Sequence, residues 1–160
     1  MNTAVKIVSR AQARQIAAEA RSAGRRVVLA NGCFDLLHVG HARYLAGAKA
    51  LGDVLIVGVN GDQSVRQLKG PGQPLLDEQA RARLVAAFSA VDYVVVFEEP
   101  DVRALIAELR PHVHAKGTDY TVESVPERAA VEAAGGQVAI VGDPKDHATS
   151  DLIQRIREGQ

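Results

Sequence analysis

Residues 27–60 read VVLANGCFDLLHVGHARYLAGAKALGDVLIVGVN. Two apolar runs, Val27–Ala30 and Val54–Val59, lie on either side of a helical pattern that extends from about His41 to Leu51. Short runs rich in Val and Ile, without polar alternation, are typical of strands covered on both faces of a parallel sheet. The stretch therefore predicts a β-α-β unit with a right-handed crossover.

The rest of the chain repeats this alternation of apolar runs and helical patterns. Further strands are predicted at Tyr93–Phe97, Val113–Ala115 and Val138–Val141, and helices from a Ser9 cap to a stop at Gly24, then at Asp77–Ala90, Asp101–Leu109, Ser124–Ala134 and Thr149–Arg157. The fold class predicted is α/β, a single Rossmann-like doubly wound domain over 1–160, in which a five-stranded parallel sheet is flanked by helices. Residues 1–24 form an N-terminal helical extension, and ligands are expected beyond the carboxyl ends of the strands.

Composition and missing motifs exclude several classes of protein. Nineteen basic and nineteen acidic residues give no global charge for nucleic acid or an anionic membrane. The start has no apolar signal-peptide core, and the single cysteine, Cys33, cannot form an intramolecular disulfide, so we expect a cytoplasmic protein. GxxxxGK[ST] and GxGxxG are absent, which argues against a P-loop enzyme and a dinucleotide dehydrogenase. Without HExxH or a Cys/His cluster, no protein metal site is predicted.

The loop after the first strand, NGCFDLLHVGH, carries the strongest chemical signal. His38 and His41 are three residues apart at a helix start and so share one face, and Gly40 lets a ligand approach the backbone. The helix start adds N–H groups and the positive end of a dipole. Such a site suits a triphosphate and the charge that develops in phosphoryl-type transfer, although the two histidines could also merely cap the helix.

GCFDLLHVGH resembles the HxGH signature of the cytidylyltransferase-like nucleotidyltransferase superfamily. Together with LKGPGQPL, AVDYVVVFEE and KGTDY, it is similar to the D-glycero-β-D-manno-heptose 1-phosphate adenylyltransferases of ADP-heptose synthesis. That family occurs as half of a two-domain enzyme and as a stand-alone chain, and we expect the stand-alone form. The resemblance implies transfer of AMP from ATP to the heptose 1-phosphate, releasing pyrophosphate and forming ADP-heptose for the lipopolysaccharide core.

The resemblance also implies roles for individual residues. His38, His41 and Lys69, the last in a loop after the second strand, are the expected catalytic residues. Arg81 and the helix start at Thr149 and Ser150, a segment similar to the family's STTxxI, are expected to hold phosphates, and Lys145 stands near that segment. The complete set expected at the nucleotide is Gly32, Cys33, Phe34, His38, Gly40, His41, Arg81, Lys116, Gly117, Asp119, Thr149 and Ser150.

Five further expectations complete this interpretation. Mg²⁺ should arrive with ATP, bound largely by phosphate oxygens and water. Cys33 should act through its backbone and not as a nucleophile, Asp35 should tie its loop down, and His112 and His114 should be packing residues. The family resemblance also implies a homodimer, which no heptad or apolar stripe in the sequence supports independently.

Two alternatives stay open at this stage. The chain could be a cytidylyltransferase acting on glycerol 3-phosphate or an aminoalcohol phosphate, because contacts that select the base are mostly made by the backbone. It could also be a non-catalytic nucleotide-binding module, against which the presence of both histidines and Lys69 argues.

Overall fold

The centre of the molecule is a parallel sheet, as the apolar runs predict. The computed structural model describes residues 2–144 and 149–159. Its five strands lie in the order β3-β2-β1-β4-β5, and each pairs with its neighbours in parallel. They are β1 (Val27–Gly32), β2 (Val54–Asn60), β3 (Tyr93–Phe97), β4 (Val113–Lys116) and β5 (Gln137–Ile140).

Helices connect these strands, and most of them begin or end within a few residues of the prediction. They are α1 (Arg10–Ser22), α2 (Val39–Lys49), α3 (Asp62–Lys69), α4 (Glu78–Ala86), α5 (Arg103–Leu109), α6 (Arg128–Ala133) and α7 (Thr149–Arg157), with short 3-10 turns at Thr3–Lys6 and Val122–Ser124. Helix α3 was not predicted, and Lys69 therefore ends a helix instead of lying in a loop.

Successive residues of each inner strand face opposite layers of the core, because side chains alternate across a strand. Val28 and Ala30 face the layer that contains α2 and α4. Val27 and Leu29 face the layer that contains α1, α5 and α6. Both faces of the sheet are thus buried, which explains why the strands read as continuous apolar runs.

The N-terminal helix belongs to the second layer. Ser9 caps α1 through a reciprocal capping box with Gln12, and Gly24 follows the helix with a φ of +71°, as the sequence predicts. The buried face of α1 consists of alanines at positions 13, 17 and 20, which let the helix approach the sheet closely. Just before α1, the Val8 N–H donates to the Val94 carbonyl on β3 at 2.9 Å.

The sheet opens between β1 and β4. From β1 the chain adds β2 and β3 on one side, and it then crosses to add β4 and β5 on the other side. Strands β1 and β4 pair only at Val28–Val113 and Leu29–His114, whereas β1 pairs with β2 along its whole length. Beyond that point the Tyr44 hydroxyl of α2 lies between the strands. It donates to the Ala115 carbonyl at 2.7 Å and accepts from the Asn31 N–H at 3.4 Å. In doubly wound folds, such a switch point is the usual ligand-binding crevice.

Candidate active site

A cavity of about 460 Å³ opens at this switch point. It is lined by ten of the twelve residues expected at the nucleotide, and by Lys69. Those predicted residues that line it are Gly32, Cys33, His38, Gly40, His41, Lys69, Lys116, Gly117, Asp119, Thr149 and Ser150. Phe34 and Arg81 do not line it.

The two histidines stand at the first turn of α2, with ring centroids 4.0 Å apart. The Gly40 N–H donates to His38 Nδ1 at 3.1 Å, and the His38 N–H donates to His41 Nδ1 at 3.2 Å. Both Nδ1 atoms are therefore acceptors, and in each neutral ring the proton is on Nε2. The helix-capping role that the sequence left open as an alternative is therefore present. The same two hydrogen bonds hold each ring in the tautomer whose Nε2 carries the proton and can donate it.

Burial keeps His41 neutral at physiological pH. Desolvation first, and then the nearby His38 and Lys69, lower the pKa of His41 to about 4. A neutral imidazole is a hydrogen-bond donor without a full charge. A bound phosphate would favour the protonated ring, so the same residue can gain charge as negative charge accumulates beside it.

The loop between β1 and α2 is held in an uncommon backbone conformation. Phe34 and Leu36 have φ values of +52° and +48°, in the left-handed region that non-glycine residues rarely adopt. The Asp35 carboxylate, which is buried, accepts from the Leu75 and Leu76 N–H groups at 2.7 and 3.1 Å. This confirms the structural role predicted for Asp35, and it fixes the loop that carries the histidines.

The hydroxyl of Thr149 also holds this loop in place. It donates to the Asp35 carbonyl at 2.8 Å, and the Leu36 carbonyl lies at 3.3 Å. Thr149 and Ser150 begin α7 and line the cavity, so this helix start is anchored against the histidine loop. Lys145, and with it His147 and Ala148 of the same predicted segment, lie outside the described residues.

Arg81 lies behind the cavity wall, within the protein. Its guanidinium is fully buried and donates to the carbonyls of Leu76, Cys33 and Asn60 at 3.0, 2.6 and 2.7 Å, and to the Asp62 carboxylate at 2.9 Å. Each side-chain nitrogen has a partner within the protein, and the residue does not line the cavity, so these contacts favour a structural role for Arg81. Arg81 instead joins the ends of β1 and β2 to α3, and so positions the loop and helix that line the cavity.

Phe34 likewise lies behind the cavity wall. Its side chain is 3% exposed, and its ring centroid lies 5.4 Å from that of His41. The ring also fills the space beside Gly32, where an added Cβ would lie 3.2 Å from a ring carbon. The Phe34 side chain therefore supports the His41 ring, and a contact of Phe34 with the nucleotide through its backbone stays a prediction.

Basic side chains approach the cavity from two sides. Lys69, an exposed residue at the end of α3, is near enough to lower the pKa of His41, and Gly70 follows it with a φ of +89°. On the other side, Lys116 ends β4 and is 9% exposed. Its Nζ lies 3.7 Å from the Glu127 carboxylate and 4.6 Å from the centre of the Tyr120 ring.

Cys33 has the character of a protonated thiol. Burial, the largest cause, raises its pKa, whereas Lys69 and Arg81 act in the opposite direction. A thiolate is the nucleophilic form of cysteine, so this environment is unfavourable for covalent catalysis. The carbonyl of Cys33 accepts from Arg81, which gives the residue a backbone role.

Sequence reasoning missed several residues of the cavity wall. Asn31 and Tyr44 line it next to the split between β1 and β4. Arg43 on α2 pairs with Asp143 at 3.1 Å, and the Thr118 hydroxyl donates to the Asp143 carbonyl at 2.8 Å. Asn31, Arg43 and Tyr44 adjoin the HxGH motif in the sequence, and this proximity was the available signal. The contacts of Asp143 with Arg43 and Thr118 depend on how the strands are ordered in the sheet.

Comparisons with known proteins identify the family. Residues 29–155 match the cytidylyltransferase-like family. The chain belongs to that family. It is 50% identical over 138 residues to the bifunctional protein HldE of Pelobacter propionicus, covering 86% of this chain and 28% of that protein. The bifunctional protein HldE of Aeromonas hydrophila is 47% identical over 156 residues, covering 98% of this chain and 33% of that protein.

A solved structure supports the same relationship. The lipopolysaccharide core biosynthesis protein from Thermoplasma volcanium is 28% identical, with a TM-score of 0.66 over 76% of this chain and 100% of that one. The chain spans about a third or less of the length of the two HldE relatives. Among the described residues, none of the helices has the length and apolar character required to cross a membrane.

Proposed function

We propose that the chain transfers AMP from ATP to D-glycero-β-D-manno-heptose 1-phosphate, releasing pyrophosphate and forming ADP-heptose for lipopolysaccharide core synthesis. The observation that carries this proposal is the pair of imidazoles whose Nδ1 atoms accept from the backbone at the start of α2. Membership of the cytidylyltransferase-like family supports the reaction class. The similarity to HldE and to a lipopolysaccharide core biosynthesis protein supports the choice of acceptor.

The reaction would proceed by in-line attack. An oxygen of the sugar 1-phosphate forms a bond to the α-phosphorus of ATP, and the bond from that phosphorus to the bridging oxygen breaks as pyrophosphate leaves. The nucleophile is already an anion, so the protein need not remove a proton from it. Its task is to orient two anions and to neutralise charge.

Each element of the cavity has a part in that task. His38 and His41 donate from Nε2 to the transferring phosphoryl group, where the dipole of α2 also favours negative charge. Lys69 reaches the phosphates from the end of α3, beside the turn at Gly70 and Gly72. Thr149 and Ser150 place the start of α7 at the opposite wall. Lys116, Gly117 and Asp119 line the side that follows β4.

Mg²⁺ would enter as part of the nucleotide substrate. The described residues include no group of three or more carboxylate, imidazole or thiol side chains placed to hold a metal ion. The cavity does contain basic side chains for the phosphates, so the donor set fits a metal–triphosphate whose ion is bound by phosphate oxygens and water. The ion supplies charge neutralisation when bound. A cytoplasmic location and a homodimer remain part of the proposal.

The test is pyrophosphate release measured with the purified chain, crossing ATP, CTP, GTP and UTP with a panel of acceptors. The panel holds the heptose 1-phosphate, glycerol 3-phosphate and an aminoalcohol phosphate. We expect the highest kcat/KM for ATP with the heptose 1-phosphate. A higher kcat/KM for CTP with glycerol 3-phosphate would reject both the heptose 1-phosphate as the acceptor and adenine as the preferred base. Nucleotide binding without pyrophosphate release from any pair would identify a non-catalytic module.

A further inference from the structure

His114 is a buried histidine in direct contact with a residue of the cavity wall. It lies on β4 with 0% exposure, and its Nε2 is 2.9 Å from Oδ1 of Asn31 on β1. Its Nδ1 is buried and has no hydrogen-bond partner among the described residues. The pair spans the strands at the position where their backbone pairing ends, so side chains continue the connection between β1 and β4.

The unpartnered Nδ1 indicates which tautomer His114 adopts. A proton on Nδ1 would be a buried donor without an acceptor, whereas an unprotonated Nδ1 leaves only a lone pair unsatisfied. Orphaned N–H groups are the rarer and more costly defect. The neutral ring therefore carries its proton on Nε2 and donates it to Oδ1 of Asn31. Burial, with a smaller effect of Lys116, lowers the pKa of His114 to about 3, so the ring stays neutral at pH 7.

This hydrogen bond decides how the carboxamide of Asn31 faces the cavity. Its Oδ1 is occupied, and its Nδ2 makes no hydrogen bond to the part of the chain that the structure describes and is not among the buried atoms without partners. The backbone of Asn31 is held as well, since its N–H donates to the Tyr44 hydroxyl. A fixed amide with unused N–H groups on a cavity wall is a donor for ligand oxygens.

We propose that Asn31 donates from Nδ2 to an oxygen of the bound ATP or sugar phosphate, and that His114 is the positioning residue that orients this carboxamide. The inference rests on the proposed function for the identity of these ligands. His114, a buried core residue, thereby affects substrate recognition through Asn31 and does not itself contact the substrate. The carboxamide adds a directional, uncharged donor to a cavity wall that also carries imidazoles, lysines and hydroxyl groups.

A double-mutant cycle tests this coupling. Asn31→Ala and His114→Leu should each lower kcat/KM by about 10-fold, the size expected for one lost hydrogen bond of about 1.4 kcal/mol. His114→Gln keeps an N–H donor and should retain most of the activity. In the Asn31→Ala background, His114→Leu should cause no further loss. If thermal melting shows the variants to be folded and the double variant loses kcat/KM by the product of the two single losses, the positioning role is overturned.

KM values separate the two sources of the ligand oxygen. A rise confined to the KM for ATP assigns the contact to the nucleotide, and a rise confined to the KM for the sugar phosphate assigns it to the acceptor. Asn31→Ala with unchanged kcat and both KM values unchanged would overturn the substrate contact. Asn31→Asp, of the same shape but charged, should be worse than Asn31→Ala, because it places a carboxylate beside phosphates.

The tautomer can be measured without the reaction. Nitrogen-15 NMR of the wild-type protein should show His114 with a protonated Nε2 and an unprotonated Nδ1 at pH 7. A protonated Nδ1 would overturn the orientation of Asn31. If the wild type released no pyrophosphate, the proposed function would fail, and calorimetry with ATP and with the sugar phosphate would then decide the inference. Unchanged affinity of Asn31→Ala for both ligands would reject it.

Discussion

Nδ1 of His41 accepts a hydrogen bond from the N–H of His38 at 3.2 Å, and the two imidazole rings lie with their centroids 4.0 Å apart. His38 in turn accepts from Gly40 at the same helix start. The spacing of the two histidines therefore serves local structure and chemistry together. Backbone donors that would be unsatisfied at the first turn of α2 are paired, and each ring is held in the tautomer that donates from Nε2.

Removing either histidine should reduce turnover without unfolding the protein. We expect His38→Ala and His41→Ala each to lose roughly 10²-fold or more in kcat, because a preorganised donor to the transferring group is lost. His38→Asn is the matched control, since asparagine is a good N-cap and keeps the helix start. It should melt like the wild type yet lack the activity. Near-normal kcat in His38→Asn would show that capping is the only role.

Lys69 should act as a mobile charge, and its neighbour on the same helix supplies the control. Lys69→Met should lower kcat/KM about 10- to 100-fold, since a charge-assisted contact to phosphate contributes about 1.5–3 kcal/mol. Arg66→Met also removes an exposed positive charge from α3 and should have little effect. Equal losses in the two variants, measured at matched ionic strength, would indicate a general electrostatic effect in place of a contact.

Arg81 should prove to be a structural residue. Arg81→Met removes four hydrogen bonds and leaves the Asp62 carboxylate without its ion pair, so we expect the free energy of unfolding to fall by about 3–5 kcal/mol. Arg83→Met, at an exposed position two residues away, should change it by less than about 0.5 kcal/mol. Chemical denaturation measures both. A stable Arg81→Met variant with only a raised KM for ATP would contradict this structural role and support the contact with phosphate.

The buried histidines should make the fold sensitive to mild acid. The pKa of His114 is about 3 in the folded protein and about 6.5 when unfolded, so between these values the unfolded chain binds the extra proton. Stability should therefore be complete above pH 6.5 and decline as the pH falls. The contribution of His114 has a slope of at most about 1.4 kcal/mol per pH unit. Denaturation at pH 7 and pH 5 should show a smaller decline in His114→Gln, and an equal decline would contradict this assignment.

The fold was largely predictable because the buried strands are continuous apolar runs that the helical segments separate. Helix α3 escaped prediction because DQSVRQLK is mostly polar, and only Ser64 and Val65 of it are buried. Val65 and Leu68 are the only apolar residues among its eight, which are too few to establish a helical period from the sequence. Lys69 was consequently placed in a loop, although the sequence correctly indicated that it belongs at the cavity.

The site was predictable where its residues share one segment and not where they meet through the fold. His38 and His41 are recognisable from their spacing. The contact between Asn31 and His114 exists only because β1 and β4 are neighbours, and Arg81 is buried where the carbonyls of Cys33 and Asn60, distant in the sequence, converge on it. An arginine that binds phosphate and one that binds carbonyls look alike in a sequence, since both use the same donors.

The central claim is transfer of the α-phosphoryl group with its nucleoside, and an isotope label follows it most directly. The purified chain is incubated with Mg²⁺, the heptose 1-phosphate and ATP that carries phosphorus-32 at the α position, and the products are separated. We predict that the label appears in a sugar nucleotide, with unlabelled pyrophosphate formed in equal amount and no label on the protein. Label confined to free AMP, or recovered on the protein at Cys33, would contradict the account.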